Sequence, residues 1–308
     1  MENLQKGLDE YANKNYQESI RYYNKLISLD NNFYPAYANC ALSYLELNNF
    51  IFAHSYSLMG LQLSNYSIRC YRILERIYKR FKMYDKIEEL WKDAERRGTL
   101  NNWLQRSEGL IKSLNSKPWY DNEEFKFETQ LLVENHSKIV GELKNLLEQD
   151  FSKDTENLTD GNRGWKKFYL YHKGVKNEEN CKRCPETTRV IEKIENATSH
   201  VYGQIEFSKL EPGTHIIEHC SYTNSRIRIH LGLIIPEGPE ITVGKITKKW
   251  IEGDCIILDD SFIHEVHHRG TEDRYILIVD VWHKDLDTDE KRLEIIDDED
   301  KWKYKKSF

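Results

Sequence analysis

The chain has 308 residues, of which 39% are hydrophobic and 12% aromatic, and its formal net charge is −6. This composition excludes a disordered chain, and the interspersed charges of both signs exclude the basic surface of a nucleic-acid-binding protein. The length is sufficient for two domains, each with its own core.

The chain begins with Met1–Lys6, which lacks the apolar core of a signal peptide. Nowhere does an apolar run approach the roughly 20 residues of a membrane span. We therefore expect a soluble, cytoplasmic protein without a membrane span. Its six cysteines are too sparse for a disulfide scaffold, which predicts reduced thiols.

A 34-residue period runs through residues 1–100. Equivalent positions are occupied by Tyr16, Phe50 and Tyr84, by Ser19, Ala53 and Ile87, and by Leu26, Gly60 and Ala94. Gly7 and Ala41 supply a small residue where two helices approach, whereas the third unit has Glu75 there. The period resembles that of the tetratricopeptide repeat, which implies a helical solenoid that binds peptides on its concave face. Alternatively, the three units only cap the next domain.

The pattern of residues 101–117 indicates a linker, with a short helix predicted over 103–115. Ser116–Asp121 is extended and contains a proline, which is typical of the start of a new domain. We place this second domain at residues 118–290. A charged tail at 291–308 completes the chain, with a helix expected after Asp285 and a loose segment beyond it.

Within the second domain, residues 122–150 have the apolar periodicity of a helix. Short segments rich in β-formers follow, separated by glycines: 165–171, 200–210, 215–217, 225–235, 240–243, 255–258 and 275–282. Seven such strands predict a β-sandwich or jelly roll with helices on one side. The fold class is therefore α+β, a helical repeat solenoid followed by a jelly roll.

One predicted strand alternates between basic and apolar residues. Arg226, Arg228 and His230 fall on one face, while isoleucines and leucines fall on the other, which we expect to face the barrel core. A basic face inside a sheet is typical of an anion site. An ordinary exposed amphipathic strand is the alternative.

Two histidines, His219 and His264, lie 45 residues apart at the ends of predicted strands. Fe(II) oxygenases hold iron with imidazoles and leave positions open for a chelating cosubstrate and O2. Arg274 opens an alternating strand, where an inward arginine can pair with a carboxylate. The three residues together suit 2-oxoglutarate, although each histidine alone is more often a packing or surface residue.

Several motifs resemble the aspartyl/asparaginyl β-hydroxylase family over about residues 116–286. They are Pro118–Asp121, Gly164–Trp165, Cys184–Thr188, Gly213–His215, His219, Thr223–Asn224, Arg226–Pro236, Asp259–Val266 and Asp280–His283. The resemblance implies an Fe(II)- and 2-oxoglutarate-dependent dioxygenase with a double-stranded β-helix core. Members of this family are often preceded by tetratricopeptide repeats.

The resemblance also implies roles for single residues. His219 and His264 would ligate iron, Arg274 and Ser208 would bind the distal carboxylate of 2-oxoglutarate, and Arg228 and His230 would lie near its chelating end. Arg226 or Arg228 would contact the substrate. The position two residues after His219, which is a carboxylate ligand in most 2-oxoglutarate oxygenases and usually glycine in this family, is Ser221. We expect Glu265 to point away from His264, and Asp259 and Asp260 to orient it.

The implied reaction is hydroxylation of an Asp or Asn β-carbon in a protein or peptide, with release of succinate and CO2. The repeats would recruit this substrate. The alternatives are the same chemistry on a small molecule or lipid, and a binding protein that has lost catalysis. Cys181 and Cys184 lack a second cysteine pair, so a zinc site is weakly indicated. We predict a loop of reduced or reversibly oxidised thiols there, and surface positions for His267, His268 and His172.

Overall fold

A computed structural model describes residues 2–153, 158–161, 164–297 and 300 of the chain. It divides into two compact units, Met1–Glu108 and Gly109–Phe308. Ten of the eighteen residues of the predicted charged tail, 298–299 and 301–308, lie outside the described residues.

The described part of the first unit consists of six helices, each packed against the next. They are α1 (Glu2–Ala12), α2 (Tyr16–Leu29), α3 (Tyr34–Glu46), α4 (Phe50–Leu63), α5 (Ile68–Arg80) and α6 (Asp85–Arg96). The turns within the three pairs contain Lys14, Asn48 and Lys82, each with a positive φ. These three residues are 34 positions apart, so the sequence period corresponds to one helix–turn–helix unit.

The position of the repeat that favours a small residue is packed differently in the first and third units. A Cβ on Gly7 would lie 2.4 Å from the ring of Tyr23, so helices α1 and α2 need a glycine at this point. The third unit accommodates Glu75 by burying it against Arg106, whose guanidinium lies 3.2 Å from the carboxylate. An ion pair thus replaces close helix packing in this unit.

The helix predicted over residues 103–115 is wrong, because this segment forms turns and isolated bridges. In the second unit, the amide of Gly109 donates to the carbonyl of Tyr222, and the side chain of Asn224 bonds both the amide and the carbonyl of Ile111. These tertiary hydrogen bonds take the backbone groups that a helix would pair internally.

The described strands of the second unit form two antiparallel sheets. They are β1 (Trp119–Tyr120), β2 (Ser152–Lys153), β3 (Trp165–His172), β4 (Val175–Lys176), β5 (Gln204–Leu210), β6 (His215–His219), β7 (Arg226–Ile234), β8 (Pro239–Val243), β9 (Ile246–Lys248), β10 (Cys255–Leu258), β11 (His264–His268) and β12 (Arg274–Trp282). The large sheet has the order β1-β10-β7-β12-β5-β3-β2, with β4 beside β3, and the small sheet has the order β6-β11-β8-β9. Successive strands from β5 to β8 alternate between the sheets, as in a jelly roll. The α+β fold class is confirmed.

Helices α7 (Lys126–Glu134) and α8 (His136–Leu143) lie between β1 and β2 in the chain, and α9 (Glu178–Arg183), α10 (Pro185–Ile191) and α11 (Glu195–Thr198) lie between β4 and β5. Helix α12 (Asp289–Ile295) follows β12. Ile227, Ile229 and Leu231 of β7 form one buried core with apolar residues of α7, α8 and α10. The expectation that these side chains fill the barrel is therefore wrong, because they pack on the outer face of the large sheet. The inner face is left to the polar residues of β7.

Three local predictions also need correction. The segment with Cys181 and Cys184 is not a loop: Cys181 lies in α9, and Cys184 is the one residue between α9 and α10. Both thiols are buried and form no disulfide. Burial raises the pKa of Cys184 to about 12, which makes its thiol unreactive. His268 is buried and bonded to the carbonyl of Glu272, and His267 is partly buried, so neither is a simple surface residue.

Candidate active site

Two imidazoles meet on the inner face of the small sheet. His219 ends β6, and His264 begins β11 directly opposite it, with the ring centroids 4.1 Å apart. The Nδ1 of His219 lies 2.7 Å from the carbonyl of Ile217, and the Nδ1 of His264 lies 2.9 Å from the carbonyl of Phe262. Because a carbonyl only accepts, each Nδ1 carries a proton, and a neutral ring then has its lone pair on Nε2.

Electrostatics favours the neutral, ligating form of His264. Its side chain is buried, and burial together with the neighbouring His219 lowers the pKa of His264 to about 3. A neutral imidazole is the form that binds a transition metal. The pair therefore has the tautomers of a two-histidine metal site, and His264 is in the neutral form that such a site requires.

A cavity between the two sheets connects this pair with other predicted site residues. Its lining includes His219, Ser208, Arg228, His230, His264 and Arg274. Apolar side chains, among them Ile216, Ile241 and Leu258, complete the wall. Six of the seven residues assigned to the site from sequence thus share one cavity, and Arg226 does not line it.

Arg274 is a buried cation that no acidic side chain of the described residues pairs with. Only 2% of the residue is exposed, and its Nε and Nη1 have no hydrogen-bond partner. Burial lowers the pKa of this guanidinium from 12.5 to about 9, and no carboxylate of the described residues offsets the effect. Since an unpaired buried charge costs several kcal/mol, the site is built for an anionic ligand.

Ser208 and His230 present further hydrogen-bond donors to the cavity. The indole of Trp165 donates to the Ser208 hydroxyl over 3.0 Å, which leaves the hydroxyl proton for an acceptor. The indole of Trp250 donates to His230 Nδ1 over 3.2 Å, so a neutral His230 carries its proton on Nε2. This buried Nε2 has no hydrogen-bond partner among the described residues.

The neutral state of His230 follows from its surroundings. Burial, and then the charges of Arg228 and Arg274, hold the pKa of His230 well below its ordinary value. The ring of Trp250 also lies 4.9 Å from the guanidinium carbon of Arg274, where its π face stabilises the cation. Neither Trp165 nor Trp250 was given a role from sequence, although Trp165 belongs to the Gly164–Trp165 motif. The only signal for Trp250 was a large aromatic residue near short strands.

Arg226 and Arg228 form a buried network with two aspartates. Arg226 Nη2 lies 2.7 Å from Asp260, and Arg228 contacts both carboxylate oxygens of Asp280 at 2.7 and 2.9 Å. Cross-contacts of 3.3 and 3.5 Å link the two pairs. Burial disfavours charge, but Arg228 and Arg226 outweigh it and lower the pKa of Asp280. Arg228 also reaches the cavity, whereas Arg226 bonds the carbonyl of Tyr202.

Neither Glu265 nor Asp260 is placed to serve as a third metal ligand beside His219 and His264. Glu265 lies on the outer face of β11, as expected, in contact with His215 and His267. Asp260 pairs with arginines, so the backbone carbonyl of Phe262, and not this carboxylate, is the hydrogen-bond partner of His264 Nδ1. The Ser221 hydroxyl donates to the carbonyl of Thr223 within its own loop over 2.8 Å.

This donor set fits ferrous iron and 2-oxoglutarate. Two neutral imidazoles suit Fe(II) and leave several coordination positions to a chelating ligand. The unpaired Arg274 guanidinium and the Ser208 hydroxyl suit the distal carboxylate, and the His230 Nε2–H suits another carboxylate oxygen. The buried atoms without protein partners therefore match the charges of the dianion.

The region that contains these site residues is also the region that resembles known proteins. Residues 133–284 match the family described as aspartyl/asparaginyl beta-hydroxylase. The chain is 38% identical over 207 residues to the aspartyl/asparaginyl beta-hydroxylase of Mus musculus, which covers 65% of this chain and 28% of that protein. It is 35% identical over 193 residues to aspartate beta-hydroxylase domain-containing protein 2 of Xenopus tropicalis, covering 59% of this chain and 52% of that protein.

The chain thus spans between about a quarter and about half of the length of these relatives. Among solved structures, an oxidoreductase of the 2OG-Fe(II) oxygenase family from Burkholderia pseudomallei covers 48% of this chain and 78% of its own, with 13% identity and a TM-score of 0.34. That likeness is too slight to support an argument. In the part of the chain that the structure describes, the helices all fall short of the length and apolar character needed to cross a membrane.

Proposed function

Through residues 133–284 the chain belongs to the aspartyl/asparaginyl β-hydroxylase family, and from this premise we propose that it is an Fe(II)- and 2-oxoglutarate-dependent hydroxylase. The observation that carries the proposal is the buried, unpaired guanidinium of Arg274 in the same cavity as His219 and His264. A dianion with a chelating end and a charged tail satisfies both ends of this cavity.

In this proposal, His219 and His264 hold the iron through their Nε2 atoms. When bound, Fe(II) with 2-oxoglutarate and O2 supplies the oxidising chemistry that hydroxylates an unactivated C–H bond and releases succinate and CO2. The carbonyls of Ile217 and Phe262 fix the two rings by accepting from Nδ1, so that ligation requires no change of tautomer.

The cosubstrate is positioned by the large sheet. Arg274 of β12 and Ser208 of β5 take the distal carboxylate, while His230 of β7 donates from Nε2 to a carboxylate oxygen nearer the metal. Trp165 and Trp250 orient Ser208 and His230 through their indole N–H groups. Their rings and the apolar wall also exclude water from the reacting centre.

In this proposal, the substrate lies beside Arg228, which is linked to Arg226 through the shared aspartates. Their fixed network with Asp260 and Asp280 keeps two guanidinium groups in place without a ligand. Arg228, which reaches the cavity, is the better placed of the two to contact a substrate carboxylate or amide. We assign the substrate as an Asp or Asn side chain in a peptide, a choice supported by the names of the relatives.

A feature of the first unit supports recruitment of an acidic peptide. Arg69, Arg72, Arg76 and Lys79 follow one face of α5 and line a cavity of about 480 Å³ with apolar Leu42 and Ile73. Two glutamates, Glu75 and Glu108, also line it, so basic side chains outnumber acidic ones by two. A basic groove with apolar walls is complementary to a peptide rich in aspartate. In this proposal, the repeats hold the substrate protein and thereby raise its concentration near the catalytic unit.

The test is succinate formation from 2-oxoglutarate by the full chain, with Fe(II) and a library of Asp- and Asn-containing peptides. We expect turnover that His264→Ala abolishes and that the exposed control His172→Ala leaves unchanged. Mass spectrometry should find a gain of one oxygen on Asp or Asn. Turnover on small molecules or lipids alone would refute the assignment of a peptide substrate. A chain that binds neither Fe(II) nor 2-oxoglutarate would refute the proposed hydroxylase activity.

A further inference from the structure

A second group of metal-binding side chains lies on the outer face of the small sheet. His215 of β6 and His267 of β11 are cross-strand partners, and Glu265 precedes His267 by two residues on the same face. We propose that His215, Glu265 and His267 form a separate site for a divalent transition metal ion of the Zn²⁺ class. The proposal does not depend on the function assigned to the inner pair.

The geometry brings three ligand atoms to one point. The Nε2 of His215 lies 3.1 Å from an oxygen of Glu265, and the Nε2 of His267 lies 3.3 Å from the same oxygen. The two rings stack with centroids 3.9 Å apart and an interplanar angle of 13°. All three ligand atoms lie within 4.8 Å of one another.

Core packing does not explain why the rings of His215 and His267 stack. The three side chains are 27–34% exposed, so they contribute little to a core, yet they are held in fixed register by paired strands. Partial exposure also gives an ion a path from solvent. Tetrahedral metal bonds of about 2.0–2.1 Å place neighbouring ligand atoms about 3.3–3.4 Å apart, close to the 3.1 and 3.3 Å that separate the two Nε2 atoms from the Glu265 oxygen.

The ligand types select the ion. Two imidazoles and one carboxylate suit Zn²⁺ and its neighbours, whereas Ca²⁺ and Mg²⁺ prefer oxygen ligands. Three protein ligands leave a fourth position for water or for a group from a bound partner. Because a carboxylate only accepts, the Nε2 of His215 carries its proton toward Glu265 in the metal-free structure. A metal ion binds Nε2 once this proton is released or moves to Nδ1, which faces the carboxylate of Asp160 at 4.0 Å.

The two sites lie on opposite faces of the same two strands. Along β11, His264 points into the cavity, while Glu265 and His267 point outward. An ion at the outer site would link β6 and β11, which carry the inner histidines. The two sites can nevertheless be removed independently, because they share no side chain.

The test uses Zn²⁺ and Co²⁺ with the full chain in which His219→Ala and His264→Ala remove the inner pair. Equilibrium dialysis should find one bound Zn²⁺ per chain, and Co²⁺ should give a visible d–d absorption. Adding His267→Ala should weaken Zn²⁺ binding at least tenfold and remove the Co²⁺ spectrum. His172→Ala in the same background is the matched control and should retain both.

A second variant guards against misfolding. If His267→Ala lowers the unfolding temperature without metal, Glu265→Gln, which retains the shape of the side chain, replaces it and should weaken binding by the same factor. In the wild-type chain, His267→Ala should lower the bound Zn²⁺ by one equivalent. Zn²⁺ binding that neither variant weakens, or no binding in the His219→Ala, His264→Ala background, would overturn the proposal and leave the proposed hydroxylase untouched.

Discussion

Replacement of Arg274 by methionine should stabilise the protein that lacks 2-oxoglutarate. The lowering of the Arg274 pKa from 12.5 to about 9 corresponds to roughly 5 kcal/mol of unfavourable burial, at about 1.4 kcal/mol per tenfold change in ionisation. Methionine has no charge to desolvate but fills less space, and the cavity it leaves offsets part of the gain. We therefore expect the free energy of unfolding to rise by about 1–4 kcal/mol.

The assay is urea denaturation of the metal-free chain in the absence of 2-oxoglutarate, followed by circular dichroism. Arg269→Met is the matched control, because Arg269 is an exposed arginine paired with Glu240, and its loss should change stability by less than about 1 kcal/mol. In the presence of Fe(II), only a chain that retains Arg274 should gain further stability from saturating 2-oxoglutarate. An Arg274→Met chain that is less stable than wild type, or that still binds 2-oxoglutarate, would refute the reasoning.

Three further changes test other parts of the structure. Burial raises the pKa of Asp259 from 3.8 to about 7, so the stability that its neutral form contributes is complete below pH 4 and is lost as the pH rises through 7. Between pH 5 and pH 8, the free energy of unfolding of wild type should fall by roughly 3 kcal/mol more than that of Asp259→Asn in urea titrations. Parallel pH profiles of the two chains would contradict this. Asp280→Ala leaves Arg228 buried without its bidentate partner and should cost about 3–5 kcal/mol, measured in the same way. Ile229→Ala opens a cavity between β7 and the helices and should cost about 2–5 kcal/mol, with succinate formation per folded molecule retained.

The repeat and the jelly-roll strands could be predicted because their signals are local. A 34-residue period marks the helix pairs, and the strand Arg226–Ile234 differs by one residue at each end from its prediction. The strand His264–His268 was missed because histidine and glutamate are weak β-formers, and only pairing with two neighbouring strands makes this segment extended. The segment 103–115 was mispredicted since its backbone bonds to distant residues.

In the candidate site, too, some features could be predicted from sequence and others depend on the fold. His219, His264 and Arg274 carry their chemistry in the side chain itself, so sequence could identify them. The pairing of Arg228 with Asp280 depends on strand register, which places these residues opposite each other in β7 and β12. The outer group with His215 escaped notice because residues separated by 50 positions in the chain give no local signal.

The central claim is that one cavity binds iron through His219 and His264 and 2-oxoglutarate through Arg274. Anaerobic calorimetry of 2-oxoglutarate binding to the Fe(II)-loaded chain tests it most directly, because no substrate or turnover is required. We expect one 2-oxoglutarate per chain, with affinity lost in Arg274→Met and no longer dependent on Fe(II) in His264→Ala. Binding of unchanged affinity in both variants would contradict the claim.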